Sequence, residues 1–271
     1  MITKKQLKNS IWGFILGDCW GVPYEFKDSS SIHFKEFAEY GTHRQPAGTW
    51  SDDTSLMLCL IDSYNNGVFD KNKHKQNLRG FAKGKFTPDN IVFDIGNSTR
   101  EAIYQDFNRN NSNALGNGGL LRCWLLGVIY PDNEELLKDF VKLTHSINEV
   151  SLTTFKYYYI LYNLCASNLD LQSVKQQFPK QEFDSFINDN KRLSGFGTIV
   201  NAVDTAVNSF YKDYTLKEVI ETGGDTDSNA AVYGSLYYLR NEISMQDKTK
   251  IRKYEYLEKL INDFFNKIYG G

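Results

Sequence analysis

Proline is scarce in this chain, 5 among 271 residues, and so is the alternation of apolar and polar residues that marks half-buried strands. Those two shortages exclude a β-sandwich or barrel and leave room for uninterrupted helices. Cysteine is scarce too. Cys19, Cys59, Cys123 and Cys165 form no CxxC pair, and their long gaps suit neither a zinc ribbon nor a small disulfide scaffold. Cys59, Cys123 and Cys165 fall in apolar helical patterns, so they read as buried free thiols of a reducing, cytoplasmic protein. Neither sign of charge dominates: 31 Lys and Arg face 33 Asp and Glu, a formal net charge of -2, and nothing advertises a nucleic-acid surface. The densest basic run, Lys71, Lys73, Lys75 and Arg79, reads as a solvated loop. No apolar stretch is long enough for a membrane span or signal segment; Asn9, Gly17 and Asp18 interrupt the first one. Absence of GxxxxGK followed by Ser or Thr excludes a Walker-type switch, and absence of GxSxG excludes a nucleophile elbow. His33, His43 and His74 are expected in polar loops and show no ligand spacing.

What is present is helical period. Leu7, Ile11, Phe14 and Ile15 mark one amphipathic face, and residues 52–66 read as a second helix stopped by Gly67. Further helices are predicted over 97–107, 119–129, 133–144 and 149–166. The second of these is apolar nearly all round and central. Ile199, Val203, Ala206, Val207 and Phe210 mark another, Thr215 and Glu218 a capping box, and 227–240 a small-residue helix. Tyr254 to Ile268 closes the series. The stretch 171–194 is polar and reads as short helices or loop. The sum is one compact all-α, multi-helix domain over 1–271.

Two acidic clusters interrupt this pattern where loops enter helices: Ser51-Asp52-Asp53-Thr54, and Gly223-Gly224-Asp225-Thr226-Asp227-Ser228. Hard cations want oxygen ligands, and two such clusters face to face could hold two ions about 3.5–4 Å apart. Asp, Ser and Thr are also favoured helix caps, and acids suit the positive end of a helix dipole. A cap needs one such residue and each cluster supplies several, so spacing alone leaves capping and metal binding level. Gly116-Asn117-Gly118 precedes the buried helix, where amides could cradle an anion or simply turn the chain. Gly195-Phe196-Gly197 offers a ring that could stack on a base or ribose, or plug a core. His145 reads by itself as a packing or C-terminal capping residue.

Taken in order, these segments resemble the ADP-ribosylglycohydrolase family, which includes the dinitrogenase-reductase-activating glycohydrolase and ADP-ribosyl-arginine hydrolases. The resemblance rests on Gly17-Asp18-Cys19-Trp20-Gly21-Val22-Pro23-Tyr24-Glu25, Trp50 to Thr54, Asp94-Ile95-Gly96-Asn97-Ser98-Thr99-Arg100, Gly116 to Gly118, Thr144-His145, Ser194 to Gly197, and Gly223 to Ser228. It implies an orthogonal all-α fold with a dimetal cleft. Ser51, Asp52, Asp53, Asp225, Asp227 and Ser228 would ligate two Mg²⁺, or Mn²⁺. Glu25 would lie on a mobile segment near the metals, and Asp94 and Asn97 would approach the substrate ribose. Gly116, Asn117 and Gly118 would hold phosphate, His145 would contact ADP-ribose, and Phe196, between Gly195 and Gly197, would border adenosine or ribose. Ser228 and Phe196 stand where the family more often has Thr and Tyr.

The implied reaction is hydrolysis of the bond between ADP-ribose and a modified side chain, arginine first, with Glu25, Asp94 and Asp53 as catalytic carboxylates. The implied partners are an ADP-ribosylated protein and a cognate ADP-ribosyltransferase, with no membrane involved. Three alternatives stay open: another ADP-ribosyl acceptor, a module that binds ADP-ribose or blocks a transferase without turnover, and a Mg²⁺-dependent nucleotide phosphohydrolase.

Overall fold

The computed structural model describes residues 2–108 and 115–270. Thr3 opens the first helix, α1 (Lys4–Gly21), with a capping box in which its hydroxyl and the Gln6 side chain exchange bonds with each other's amides. A 3₁₀ turn at Val22–Tyr24 and a two-residue strand β1 (Lys27–Asp28) follow. Next come α2 (Asp52–Ile61), a hairpin of β2 (Tyr64–Asn65) and β3 (Val68–Phe69), α3 (Lys71–Phe81) and α4 (Asn97–Tyr104). The middle of the chain forms α5 (Gly118–Ile129), α6 (Glu134–Val141), α7 (Glu149–Ala166), α8 (Leu171–Gln177) and α9 (Lys180–Asp189). The last part forms α10 (Ile199–Tyr211), α11 (Leu216–Glu221), strand β4 (Gly223–Gly224), α12 (Thr226–Tyr237), α13 (Met245–Lys250) and α14 (Tyr254–Tyr269). The all-α expectation is borne out, and α5 is as buried as its composition required.

Several predicted boundaries move. The helix expected over 52–66 ends at Ile61, because Asn66 (φ 50°) and Gly67 (φ 82°) form the tight turn of the β2–β3 hairpin. Two consecutive left-handed residues suit the twist of a two-residue hairpin loop, and Asn-Gly is the pair that adopts them most readily. The basic run is a helix rather than a loop: Asp70 caps α3 through the amides of Asn72 and Lys73. Lys71, Lys73 and Arg79 pair with Asp139, Asp62 and Asp106, which disperses the charge. The helix over 133–144 stops at Val141, and 171–194 resolves into α8, α9 and a 3₁₀ turn.

The central contact is the crossing of α1 and α12. Gly13, Gly17 and Gly21 recur every four residues along one stripe of α1. A Cβ at Gly17 would lie 2.0 Å from the Ala230 carbonyl oxygen, and one at Gly21 would lie 2.3 Å from Asp227 Cα. Bare backbone on α1 thus lets the two helices approach closely. That approach carries Asp227 to the C-terminal end of α1. Helices α2, α5, α7 and α10 enclose the pair with a core that includes Trp12, Leu58, Trp124, Tyr162 and Val203.

Candidate metal centre and substrate cleft

Asp18, near the end of α1, settles who caps α2. Its buried carboxylate accepts the Ser51 amide at 2.9 Å and the Thr54 amide at 3.0 Å, while Ser51 Oγ accepts the Asp53 amide at 3.1 Å. The amides at the head of α2 are therefore met from Asp18 and Ser51, and the carboxylates of Asp52 and Asp53 are left over. At α12 Asp225 stands at the N-cap position without a side-chain capping bond, while Asp227 Oδ1 accepts the Ser228 amide at 2.9 Å. Capping thus accounts for none of Asp52, Asp53 and Asp225.

These left-over groups meet across the gap between α2 and α12. Ser228 Oγ donates to Asp53 Oδ2 at 2.8 Å. Asn117 Nδ2 donates to Asp225 Oδ2 at 2.8 Å, and the Gly96 amide donates to Asp52 Oδ2 at 3.0 Å. Carboxylate oxygens of Glu25, Asp225 and Asp227 lie within 4.8 Å of one another, and so do ligand atoms of Glu25, His43 and Asp94. The cleft between them has a volume of about 330 Å³. Among the described residues Glu25, Asp52, Asp53, Asp94, Asp225 and Asp227 line it, and no Lys or Arg does. Burial raises the pKa of Asp52, Asp53 and Asp227 well above the ordinary carboxylate value, and neighbouring carboxylates push the same way. Burial also raises Asp225 and Glu25, and lifts Asp18 to about 6. Six acids facing one cavity, with no Lys or Arg beside them among the described residues, are oxygen donors of the kind that hard cations take.

The opposite wall is made of the two glycine-rich segments, which the backbone joins. The Asn117 amide bonds the Gly197 carbonyl at 2.8 Å, the Ile199 amide bonds Leu115, and Gly116 forms an isolated bridge with Thr198. The amides of Gly118 and Gly119 open α5 and have no place in its own ladder. The His145 ring lies beneath this loop: a Cβ at Gly116 would sit 3.1 Å from Nε2, and one at Gly119 would sit 3.2 Å from the His145 Cβ. Its backbone amide bonds Val141 at the end of α6, so His145 caps a helix with its backbone and lines the cleft with its side chain. Phe196 rests its ring edge on Gly224, where a Cβ would come within 2.6 Å, and stays 73% exposed at the cleft rim. It plugs no core.

Of the residues singled out from sequence, two do not line the cleft. Ser51 is buried, its Oγ occupied by the Asp53 amide, and Gly195 is exposed with nothing within 4 Å of a Cβ built on it. Asn97, Gly116, Asn117, Gly118, His145, Phe196 and Gly197 all do. Sequence reasoning missed Asp18 as a buried anchor. It also missed His43, which pairs with Glu25 and packs against Phe93 at 5.3 Å between ring centres. That pairing raises the His43 pKa. His74, expected in a loop, is buried on α3 beside Arg122. Glu25 itself is buried and lies on a segment tied down by β1–β4 pairing, with the Phe26 amide on the Gly224 carbonyl at 2.7 Å.

Comparison with known proteins agrees with this geometry. The ADP-ribosylglycohydrolase family pattern matches residues 2–270. The ADP-ribosylarginine hydrolase Tri1 of Pseudomonas putida is 36% identical over 100 residues, 36% of this chain and 27% of that protein. Tri1 of Serratia proteamaculans is 34% identical over 102 residues, 37% of this chain and 28% of that protein. The chain thus spans little more than a quarter of the length of these curated relatives (27% and 28%). A solved structure of an ADP-ribosylglycohydrolase-related protein complex superimposes with a TM-score of 0.76 over 97% of this chain and 98% of that one. At 21% identity that is a likeness of fold alone. With the family pattern running from one end of the described helices to the other, on a fold already seen under that description, this chain belongs to the ADP-ribosylglycohydrolase family.

Proposed function

We propose that this protein is a single-domain, Mg²⁺-dependent hydrolase that removes ADP-ribose from a modified protein side chain, arginine first, in the cytoplasm. The observation that carries the reading is the ring of six carboxylates around one cavity, with no Lys or Arg lining it among the described residues. Asp52, Asp53, Asp225, Asp227 and Ser228 are the residues that would hold two Mg²⁺, with Mn²⁺ suited to the same oxygen donors. Ser51, whose Oγ accepts the Asp53 amide, does not line the cleft itself. When bound, such ions supply Lewis acidity and fixed positive charge beside a ribose and a water.

The chain's own groups divide the remaining work. The amides of Gly118 and Gly119 at the head of α5, beside Gly116 and Asn117, would hold diphosphate oxygens, and His145 lies against the same loop. Phe196 offers an exposed face to the adenosine or ribose. Asp94 and Asn97 border the ribose from the α4 side. Glu25 and Asp94 are the carboxylates placed to take a proton from water, and Glu25 is the better held of the two because His43 pairs with it. A protonated, positively charged guanidinium fits an acidic cavity better than a neutral acceptor does, which supports arginine as the modified residue. A dedicated transferase that makes the modification is the partner this reaction requires. Four buried free thiols suit a reducing compartment.

The test is incubation with arginine-modified and serine-modified proteins, with Mg²⁺ or with chelator. Free ADP-ribose from the arginine substrate in Mg²⁺ alone is the expected result. Orthophosphate as product would replace this reading with a phosphohydrolase, and release from serine alone would change the acceptor.

A further inference from the structure

Arg122 has no part in the chemistry above, yet it is a fully buried charge on α5. No ion pair holds it among the described residues. Instead Nη1 lies 2.8 Å from His74 Nε2, and Nη2 donates to the Phe140 carbonyl at 2.9 Å and to Thr144 Oγ1 at 2.7 Å. Thr144 Oγ1 in turn lies 2.8 Å from His145 Nδ1. A guanidinium can only donate. Thr144 Oγ1 therefore accepts from Arg122 with one lone pair, and its single proton is available for Nδ1. With Nδ1 accepting, the proton of a neutral imidazole resides on Nε2. That is the edge lying against the loop, 3.1 Å from a Cβ built on Gly116 and 3.3 Å from one on Gly118.

The chemistry of the cleft gives this direction a purpose. Among the described residues no Lys or Arg lines it, and the groups that would meet a diphosphate at this wall are backbone amides and whatever the imidazole presents. An Nε2–H would add a donor there, whereas the other tautomer would aim a lone pair at an anion. We propose that Arg122 is a positioning residue that acts through Thr144 to fix His145 in the tautomer donating from Nε2 to a phosphate oxygen of the ligand. The ligand half of this rests on the ADP-ribose reading above; the tautomer half does not.

Histidine-ring nitrogen NMR on the ligand-free full chain reads the tautomer directly. The expected spectrum shows His145 with a hydrogen-bonded, unprotonated Nδ1 and a protonated Nε2. Thr144→Ser should keep it, and Thr144→Val and Arg122→Met should lose the hydrogen-bonded Nδ1 signature. A proton on Nδ1 in the wild type overturns the proposal whatever the ligand, and a Thr144→Val spectrum like the wild type overturns the relay. Should Arg122→Met fail to fold, the Thr144 pair decides alone. Calorimetry with ADP and adenosine tests the ligand half. Thr144→Val should weaken ADP about tenfold, the size of one charge-assisted hydrogen bond, and change adenosine less than about twofold. Thr144→Ser should restore ADP binding. Equal losses for both ligands would mark a merely structural role and overturn it. If the wild type binds neither, the ADP-ribose reading falls with the ligand half, and the ring spectrum still judges the tautomer.

Discussion

Metal withdrawal should change stability with a pH dependence whose sign the cluster fixes. Burial raises Asp52, Asp53, Asp225 and Asp227 above their ordinary values and brings Asp18 to about 6. A carboxyl whose folded pKa exceeds its unfolded value, about 3.9 for Asp, contributes stability that is fully present below the unfolded pKa. That stability is lost as pH rises through the folded pKa. The metal-free protein is therefore least favoured near neutral pH as far as these groups are concerned, because they must either ionise against one another or hold protons. A bound divalent cation replaces the protons and removes the penalty. At a metal concentration about a hundred times Kd, mass action alone adds about 2.7 kcal/mol. For a chain of this size that corresponds to a Tm gain of roughly 5–10 °C. Thermal unfolding with Mg²⁺ or with chelator, at about pH 7.5 and about pH 5, measures it. The gain should be large at the higher pH and shrink at the lower, where protons compete. A gain as large at about pH 5, or none at either pH, would refute the cation site.

Three other outcomes follow from the geometry. Gly17→Ala places a methyl 2.0 Å from the Ala230 carbonyl and should cost at least about 1–3 kcal/mol, seen as a lower denaturation midpoint. A wild-type midpoint would mean that the helix crossing relaxes at no cost. Phe196→Ala removes an exposed ring, so Tm should hold within the small range of surface substitutions while KM rises and kcat stays. A fall in kcat with unchanged KM would move Phe196 from binding to chemistry. His43→Asn removes the hydrogen bond that lowers the Glu25 pKa against its burial. If ionised Glu25 is the base, the acidic limb of the rate profile should move to higher pH; an unmoved limb would assign the base elsewhere.

The helices were legible because their apolar period is regular and their caps are local. Thr215 with Glu218 is a four-residue signal that the structure realises as drawn. The Asn66-Gly67 hairpin was equally local but was masked by the apolar run before it, which ends as a helix at Ile61. The acidic cluster was legible as composition and ambiguous as function. The structure adds Asp18, a carboxylate on α1 that shares the capping of α2 with Ser51, so that capping does not account for Asp52 and Asp53. No spacing rule connects positions 18 and 51. His43 and Arg122 escaped for the same reason: each meets its partner through loops or neighbouring helices, at separations of 18 and 22 residues. Phe196 could be read only as a ring between glycines until Gly224 gave it a seat at the rim.

The central claim is that the carboxylates facing each other across α2 and α12 serve metal-dependent turnover rather than capping or ligand binding alone. It is tested most directly by the rate of ADP-ribose release from an arginine-modified protein in saturating Mg²⁺, for the wild type and Asp227→Asn. The account predicts a loss of at least about a thousandfold in kcat, on the scale of removing a principal electrostatic element of an active site. Wild-type turnover by Asp227→Asn would contradict it.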